Sequence, residues 1–155
     1  MSISNKCLLV FDLNGTLTCT SNTRHRKGIL IRPGIEHLNR LIESRYYDIA
    51  IWSSAMRHNV LKMVKEIEKR IDYKINIILD RSNTIPSPTS DNPHATKKPL
   101  LQTFPTYGNV ILIDDDVKKC LDEEVTGHFV KAPQWDGDKD DRFLAELVDY
   151  FLSNQ

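Results

Sequence analysis

The stretch from Cys7 to Leu17, Cys-Leu-Leu-Val-Phe-Asp-Leu-Asn-Gly-Thr-Leu, constrains this chain more than any other. An uninterrupted apolar run that ends in Asp12 and passes at once into Asn14-Gly15-Thr16 reads as a buried strand delivering a carboxylate to the edge of a sheet. That placement suits a nucleophile. Gly15 allows the backbone to turn sharply, and Thr16 can offer a hydroxyl and an amide N–H to an anion held over the turn. The alternative is that Asp12 and Asn14 only start a turn after a strand, a common use of both residue types.

At 155 residues the chain suits one domain, 1–155, with a single sizeable core. The 21 Lys and Arg balance 21 Asp and Glu, so overall charge argues for neither nucleic acid nor an anionic membrane as the main partner. Cys7, Cys19 and Cys120 are odd in number and lack disulfide or zinc spacing, which fits a reducing compartment. With no apolar segment of membrane-spanning length and no leader pattern, the expectation is an intracellular monomer, nuclear or cytoplasmic, with no membrane partner.

Residues 18–31 form a small flap by pattern, polar first and then Gly28-Ile29-Leu30-Ile31. Arg24, His25, Arg26 and Lys27 would meet an anionic substrate if the flap stands near the site; otherwise they are a solvated charge run. Pro33 is suited to a first helical turn, and Ile35, Leu38, Leu41 and Ile42 repeat at helical steps. Asp48–Trp52 reads as a second strand ending at Ser53-Ser54, whose hydroxyls can bind a phosphate oxygen or cap the next helix. That helix carries Val60, Met63, Val64 and Ile67, and Lys74–Asp80 supplies a third strand. From 81 to 96 the chain is rich in Ser, Thr, Asn and Pro and reads as an irregular loop.

Asn109–Ile113 makes a fourth strand that delivers Asp114-Asp115-Asp116. Three adjacent carboxylates at a strand end are costly unless solvated or neutralised by a cation. Magnesium is the economical answer, because it accepts a few carboxylate oxygens together with water and phosphate oxygens. One of these acids capping a following turn is the alternative. Gly127–Val130 gives a fifth strand, Trp135 a loop anchor, and Asp138–Asp141 a cap for a last helix bearing Phe143, Leu147 and Phe151.

Strands alternating with helices imply an α/β, Rossmann-like three-layer sandwich. A central parallel sheet of about five strands carries helices on both faces, with no large cap domain. Ligands bind such sheets at the carboxyl ends of the strands, which puts Asp12, Ser53 and Asp114 on one rim.

The spacing Asp12-x-Asn14-Gly15-Thr16 resembles motif I of the haloacid dehalogenase superfamily, usually Asp-x-Asp-Gly-Thr. Arg32-Pro-Gly, Ile51-Trp-Ser-Ser, Leu79-Asp-Arg, Lys98-Pro-Leu, Ile113-Asp-Asp and Trp135-Asp-Gly-Asp are similar to one branch of it. That branch comprises the phosphatases of the RNA polymerase II C-terminal domain and the NLI-interacting-factor type. The resemblance implies Asp12 as nucleophile, Asn14 at the acid–base position, Ser53 on phosphate and Lys98, with Lys97 as rival, neutralising the phosphoryl group. It also implies Mg2+ held by Asp12, Asp114, Asp115 and the backbone of Asn14. From the residue types and their places in the chain, Gly15, Thr16, Ser54, Arg24 and Arg26 are the candidates for substrate contact.

An amide cannot give up and recover a proton as a carboxyl does, so Asn14 implies slow or trapped turnover. The expected substrate is phosphoserine or phosphothreonine in a protein segment. The alternatives are an impaired pseudophosphatase that binds phosphoprotein as a scaffold, and a nucleic-acid end phosphatase supported only by the Arg24–Lys27 cluster.

Overall fold

The structure, a computed structural model, describes residues 3–23 and 26–155, with the backbone alone at 21–23 and 26–27. β1 (Ser4–Phe11) leads into a hairpin of β2 (Thr18–Thr23) and β3 (Arg26–Ile31), then α1 (Leu38–Glu43). β4 (Tyr47–Trp52), α2 (Arg57–Glu68) and β5 (Ile77–Leu79) follow. A second small hairpin, β6 (Ile85–Pro86) with β7 (Thr96–Lys97), precedes α3 (Leu100–Thr103) and β8 (Tyr107–Asp114). A distorted turn, α4 (Val125–His128), which leaves helical geometry at Thr126 and Gly127, then β9 (Phe129–Lys131) and α5 (Phe143–Ser153) complete the chain.

The five-stranded sheet has the order β5-β4-β1-β8-β9 and is parallel throughout. Its apolar strands alternate between two cores, as the two-residue period of a strand requires. Leu9, Phe11, Ile49, Ile51 and Ile113 point to one face, where α1, α2 and α5 bury Leu38, Leu41, Val60, Val64, Leu144 and Phe151. Leu8, Val10, Ala50, Trp52, Val110 and Leu112 point to the other, covered by Leu100, Phe104 and Cys120. The second layer is thin, because only α3 and short turns connect strands there. The sheet and its two covered faces agree with the α/β expectation.

Several local expectations are corrected. Pro33 does not open a helix: a 3-10 turn begins at Ile35, behind Gly34 at φ 88, and the α-helix spans only Leu38–Glu43. Neither Ser53 nor Ser54 caps α2, whose N-cap is Met56 without a side-chain bond. The 81–96 segment is less irregular than its composition suggests. Asp80 caps a 3-10 turn at Arg81–Asn83, and Ile85 and Pro86 pair with Lys97 and Thr96. The flap at 18–31 is a two-stranded antiparallel hairpin. Among the described residues no helix is long and apolar enough to cross a membrane.

Candidate functional site

The strand order reverses between β1 and β8, and the crevice outside such a reversal is where an open parallel sheet binds ligand. Asp12 follows β1 and Asp114 ends β8, their strands in register from Leu8 opposite Val110 to Phe11 opposite Ile113. A cavity of about 260 Å³ opens there, lined by Asp12, Asn14, Ser53, Ser54, Asp114, Asp115 and further residues of the two strand ends. A larger cavity of about 520 Å³ lies around Ile3, Tyr46, Gly108 and Tyr150 at the opposite end of the strands. Among its described lining residues none has a charged side chain, so size does not mark the cluster of ionisable groups.

Lys98 is fully buried, and its Nζ donates to Asp12 Oδ1 at 3.1 Å and to Asp114 Oδ2 at 2.8 Å. Burial alone would push this ammonium down, but the Asp12 and Asp114 charges outweigh it and hold Lys98 above its usual range. Lys97 turns the other way, and its Nζ donates to the backbone carbonyls of Lys118 and Cys120 at 2.9 and 3.0 Å. Of the two adjacent lysines, only Lys98 faces the carboxylates.

Burial pushes Asp12 up to about 8, with Lys98 pulling against it and Asp114 adding to it. Asp114 is likewise raised, by burial first, against the opposing pull of Lys98. One lysine therefore leaves the cluster short of positive charge. Asp12, Asp114 and Asp115 each offer an oxygen within 4.8 Å of the others, a hard oxygen donor set that fits a divalent cation.

Asp115 is brought in by the turn after β1. The Thr16 hydroxyl donates to Asp115 Oδ1 at 3.1 Å, accepts from the Asp115 N–H at 3.1 Å, and stands 3.5 Å from Asp12 Oδ2. The expectation that Thr16 offers its amide N–H to an anion is corrected. Gly15 N–H donates to the Thr18 carbonyl at 2.8 Å and Thr16 N–H to the Leu13 carbonyl at 2.8 Å, so both are spent on the turn. Neither bond uses the Asn14 carbonyl. The Asn14 side chain is exposed, and its Oδ1 accepts from the Thr18 hydroxyl at 3.2 Å.

The Ser53–Ala55 segment forms the far wall. Ser53 N–H donates to the Leu79 carbonyl at 3.1 Å, Arg81 N–H to the Ala55 carbonyl at 2.9 Å, and the Ser53 hydroxyl accepts from Ala55 N–H at 3.1 Å. Ser54 Oγ is buried with no partner among the described residues. An unpaired buried hydroxyl in a cavity wall is poised for a ligand oxygen. Arg24 lies outside the described residues, and Arg26 is placed only by its backbone pairing with Thr23. Among the described flap residues none lines the cavity.

Three holding contacts of this site join partners that the sequence pattern does not pair, although Arg32 and Trp135 stand in motifs noted above and Trp135 reads there as a loop anchor. Arg32, fully buried, donates to both oxygens of Asp141 at 2.7 and 2.9 Å and to the Thr16 carbonyl at 3.1 Å, with its guanidinium 4.6 Å from the centre of the Phe143 ring. Trp135 N–H donates to the Gly15 carbonyl at 2.9 Å, and the two contacts fix the turn from behind. Glu124, also buried, accepts from Leu100 and Leu101 N–H at 2.8 and 2.9 Å and so anchors the segment that follows Lys98. Asp116 and Lys119 add to the cavity rim. Only the Arg-Pro-Gly triplet hinted at Arg32; its partner Asp141 lies 109 positions away.

The NLI interacting factor-like phosphatase family model matches residues 7–154. The chain belongs to that family. No curated protein matches it. Among solved structures, fission yeast RNA polymerase II CTD phosphatase Fcp1, as a variant bound to beryllium fluoride, is 16% identical with a TM-score of 0.55 over 97% of this chain and 50% of its own. A second structure of Fcp1, an essential RNA polymerase II CTD phosphatase, gives 16% and 0.58 over 96% and 49%. A protein described as a 3-deoxy-D-manno-octulosonate 8-phosphate phosphatase from Vibrio cholerae gives 12% and 0.50 over 96% and 84%. The chain therefore spans about half the length of the Fcp1 structures it resembles. At these identities the likeness shows the shared fold, and membership of the NLI interacting factor-like family rests on the match to its own model.

Proposed function

We propose that this family member is a Mg2+-dependent phosphatase of the aspartyl-phosphate type, acting on phosphoserine or phosphothreonine in a protein segment. The observation that carries the reading is the Lys98 ammonium bonded at once to Asp12 and Asp114, beside Asp115, at the open end of the β1–β8 crevice. Phosphoryl transfer needs in-line positioning and charge neutralisation more than elaborate covalent chemistry. Asp12, Asp114, Asp115 and the Asn14 carbonyl would hold the cation, which when bound supplies further neutralisation of the phosphoryl oxygens.

Lys98 orients one Asp12 oxygen and Thr16 stands by the other. An Asp12 oxygen attacks phosphorus, the bond from phosphorus to the serine or threonine oxygen breaks, and the leaving oxygen takes a proton from solvent water. Ser53 and Ser54 serve the transferred phosphoryl group. Water then attacks the phosphorus of the aspartyl phosphate and frees Asp12 and inorganic phosphate. Asn14 cannot supply or recover the proton in either half, and losing positioned acid–base help costs roughly 10²–10⁴ in rate. The same residue favours a second reading, a phosphoprotein-binding module that captures without turnover.

Beryllium fluoride titrated calorimetrically with and without Mg2+ tests the capture step. We expect binding that needs both Mg2+ and Asp12, and loss of it in Asp12→Asn. Absence of binding in Mg2+, or undiminished binding to Asp12→Asn, would reject the proposal. Slow release of phosphate from a phosphoserine peptide then separates enzyme from binding module.

A further inference from the structure

A groove of about 700 Å³ lies between the 87–96 arm and the turn after β8, beside the cavity of Asp12 and Asp114. Asp116 and Lys119 line both spaces, so the two adjoin at these residues. The arm's wall is polar, with Ser87, Ser90, Asn92 and His94, and these suit an extended peptide rather than an apolar ligand. The opposite wall is rigidly tied to the catalytic lysine. Lys98 N–H donates to the Lys119 carbonyl at 2.7 Å, and the Lys97 side chain straps the Lys118 and Cys120 carbonyls.

The charges of this groove are unequally satisfied. Asp116 accepts from Lys118 N–H at 3.0 Å, and Asp122 faces the Lys97 ammonium at 3.6 Å. Lys119 Nζ has only the Thr96 hydroxyl, at 3.4 Å, and among the described residues no carboxylate lies within ion-pair distance of Lys118 or Lys119. A lysine fixed by its backbone at the junction, with no carboxylate of its own, is available to an anion carried by the ligand.

We propose that this groove receives the residues flanking the target phosphoserine or phosphothreonine, and that Lys119 pairs with a second anionic group on them, phosphorylated or acidic. The inference rests on the phosphoprotein reading above and names the substrate class: segments with clustered negative charge. A charge-assisted pair at a partly buried lysine should tighten binding roughly tenfold.

The test is fluorescence anisotropy in Mg2+ with three peptides of one length: singly phosphorylated with neutral flanks, singly phosphorylated with Glu flanks, and doubly phosphorylated. The chain itself should bind the second and third roughly tenfold more tightly than the first, and the larger gain identifies acid or phosphate as the preferred anion. Lys119→Ala should erase the difference and Lys119→Glu reverse it, with Mg2+ binding by both variants reporting that they fold. Equal affinities for the three peptides, or a preference surviving both substitutions, would overturn the inference. So would tighter binding of a 5′-phosphorylated oligonucleotide than of any peptide. If no peptide binds while Asn14→Asp hydrolyses an aryl phosphate, the groove assignment falls and the catalytic reading stands. If both fail, both fall.

Discussion

A Cβ built on Gly15 would stand 2.5 Å from Asp115 Oδ2. Gly15 also lies at φ 91, a conformation that side chains rarely adopt. The turn that carries Asn14 and the strand end that carries Asp115 thus approach to a distance that only glycine permits, and this closeness lets Thr16 hold Asp115 at both its N–H and its carboxylate.

Gly15→Ala should therefore strike the cation site as well as the fold. The backbone conformation alone costs an ordinary residue about 1–2 kcal/mol, and Asp115 must move besides. We expect urea unfolding to show at least that loss, and titration to show weaker Mg2+ binding. Wild-type affinity in a folded Gly15→Ala protein would contradict the role given to this contact.

The raised Asp12 gives a pH dependence with a definite sign. Its ordinary value is 3.8 and its folded value about 8, so between these limits the native state keeps a proton that the unfolded chain has lost. The metal-free protein should lose stability as pH rises across that window and level off above it. Because a cation ligand must be ionised, the stabilisation given by Mg2+ should grow over the same interval. Thermal unfolding at several values from about pH 5 to about pH 9, with and without Mg2+, checks this. A Mg2+ effect independent of pH would count against it.

Lys98 and Lys97 should separate cleanly. Lys98→Ala removes the ammonium shared by Asp12 and Asp114, and beryllium fluoride capture should disappear. Lys97→Ala leaves the Lys118 and Cys120 carbonyls short of a donor, a loss of about 1–3 kcal/mol in stability with capture retained in the folded protein. Capture surviving Lys98→Ala would move the phosphoryl-binding role elsewhere.

Arg32 joins the β1 turn to the start of α5 through Asp141, whose carboxyl is held below its usual range chiefly by that hydrogen bond. Arg32→Ala would leave the partly exposed Asp141 with the Phe143 N–H alone, and losing hydrogen bonds to a charged group costs about 1.5–3 kcal/mol. Denaturant unfolding should show that loss. A change under about 1 kcal/mol would mean that the pair is dispensable.

The sheet is legible in the sequence because each buried strand is an apolar run ending at chemistry: Phe11 before Asp12, Trp52 before Ser53, Ile113 before Asp114. The strand–helix alternation alone sets Asp12 and Asp114 on one rim. Element starts are harder to read: Pro33 precedes Gly34, which starts a 3-10 turn, and the Ser53 hydroxyl is taken by the Ala55 N–H two residues on. The holding interactions are hidden for a further reason. Arg32 with Asp141, and Glu124 with Leu100, are distant in sequence and are brought together only by packing. Gly15 and Thr16 stand out in the sequence, but their groups serve Asp115 and the turn rather than facing an anion.

The central claim is that Asp12 and its neighbours are phosphatase machinery limited by Asn14. Its most direct test is Mg2+-dependent hydrolysis of an aryl phosphate by the chain and by Asn14→Asp, with Asp12→Ala as the blank. We expect Asn14→Asp to gain roughly 10²-fold or more over the chain while the blank stays silent. A folded Asn14→Asp protein as silent as the blank would contradict the claim.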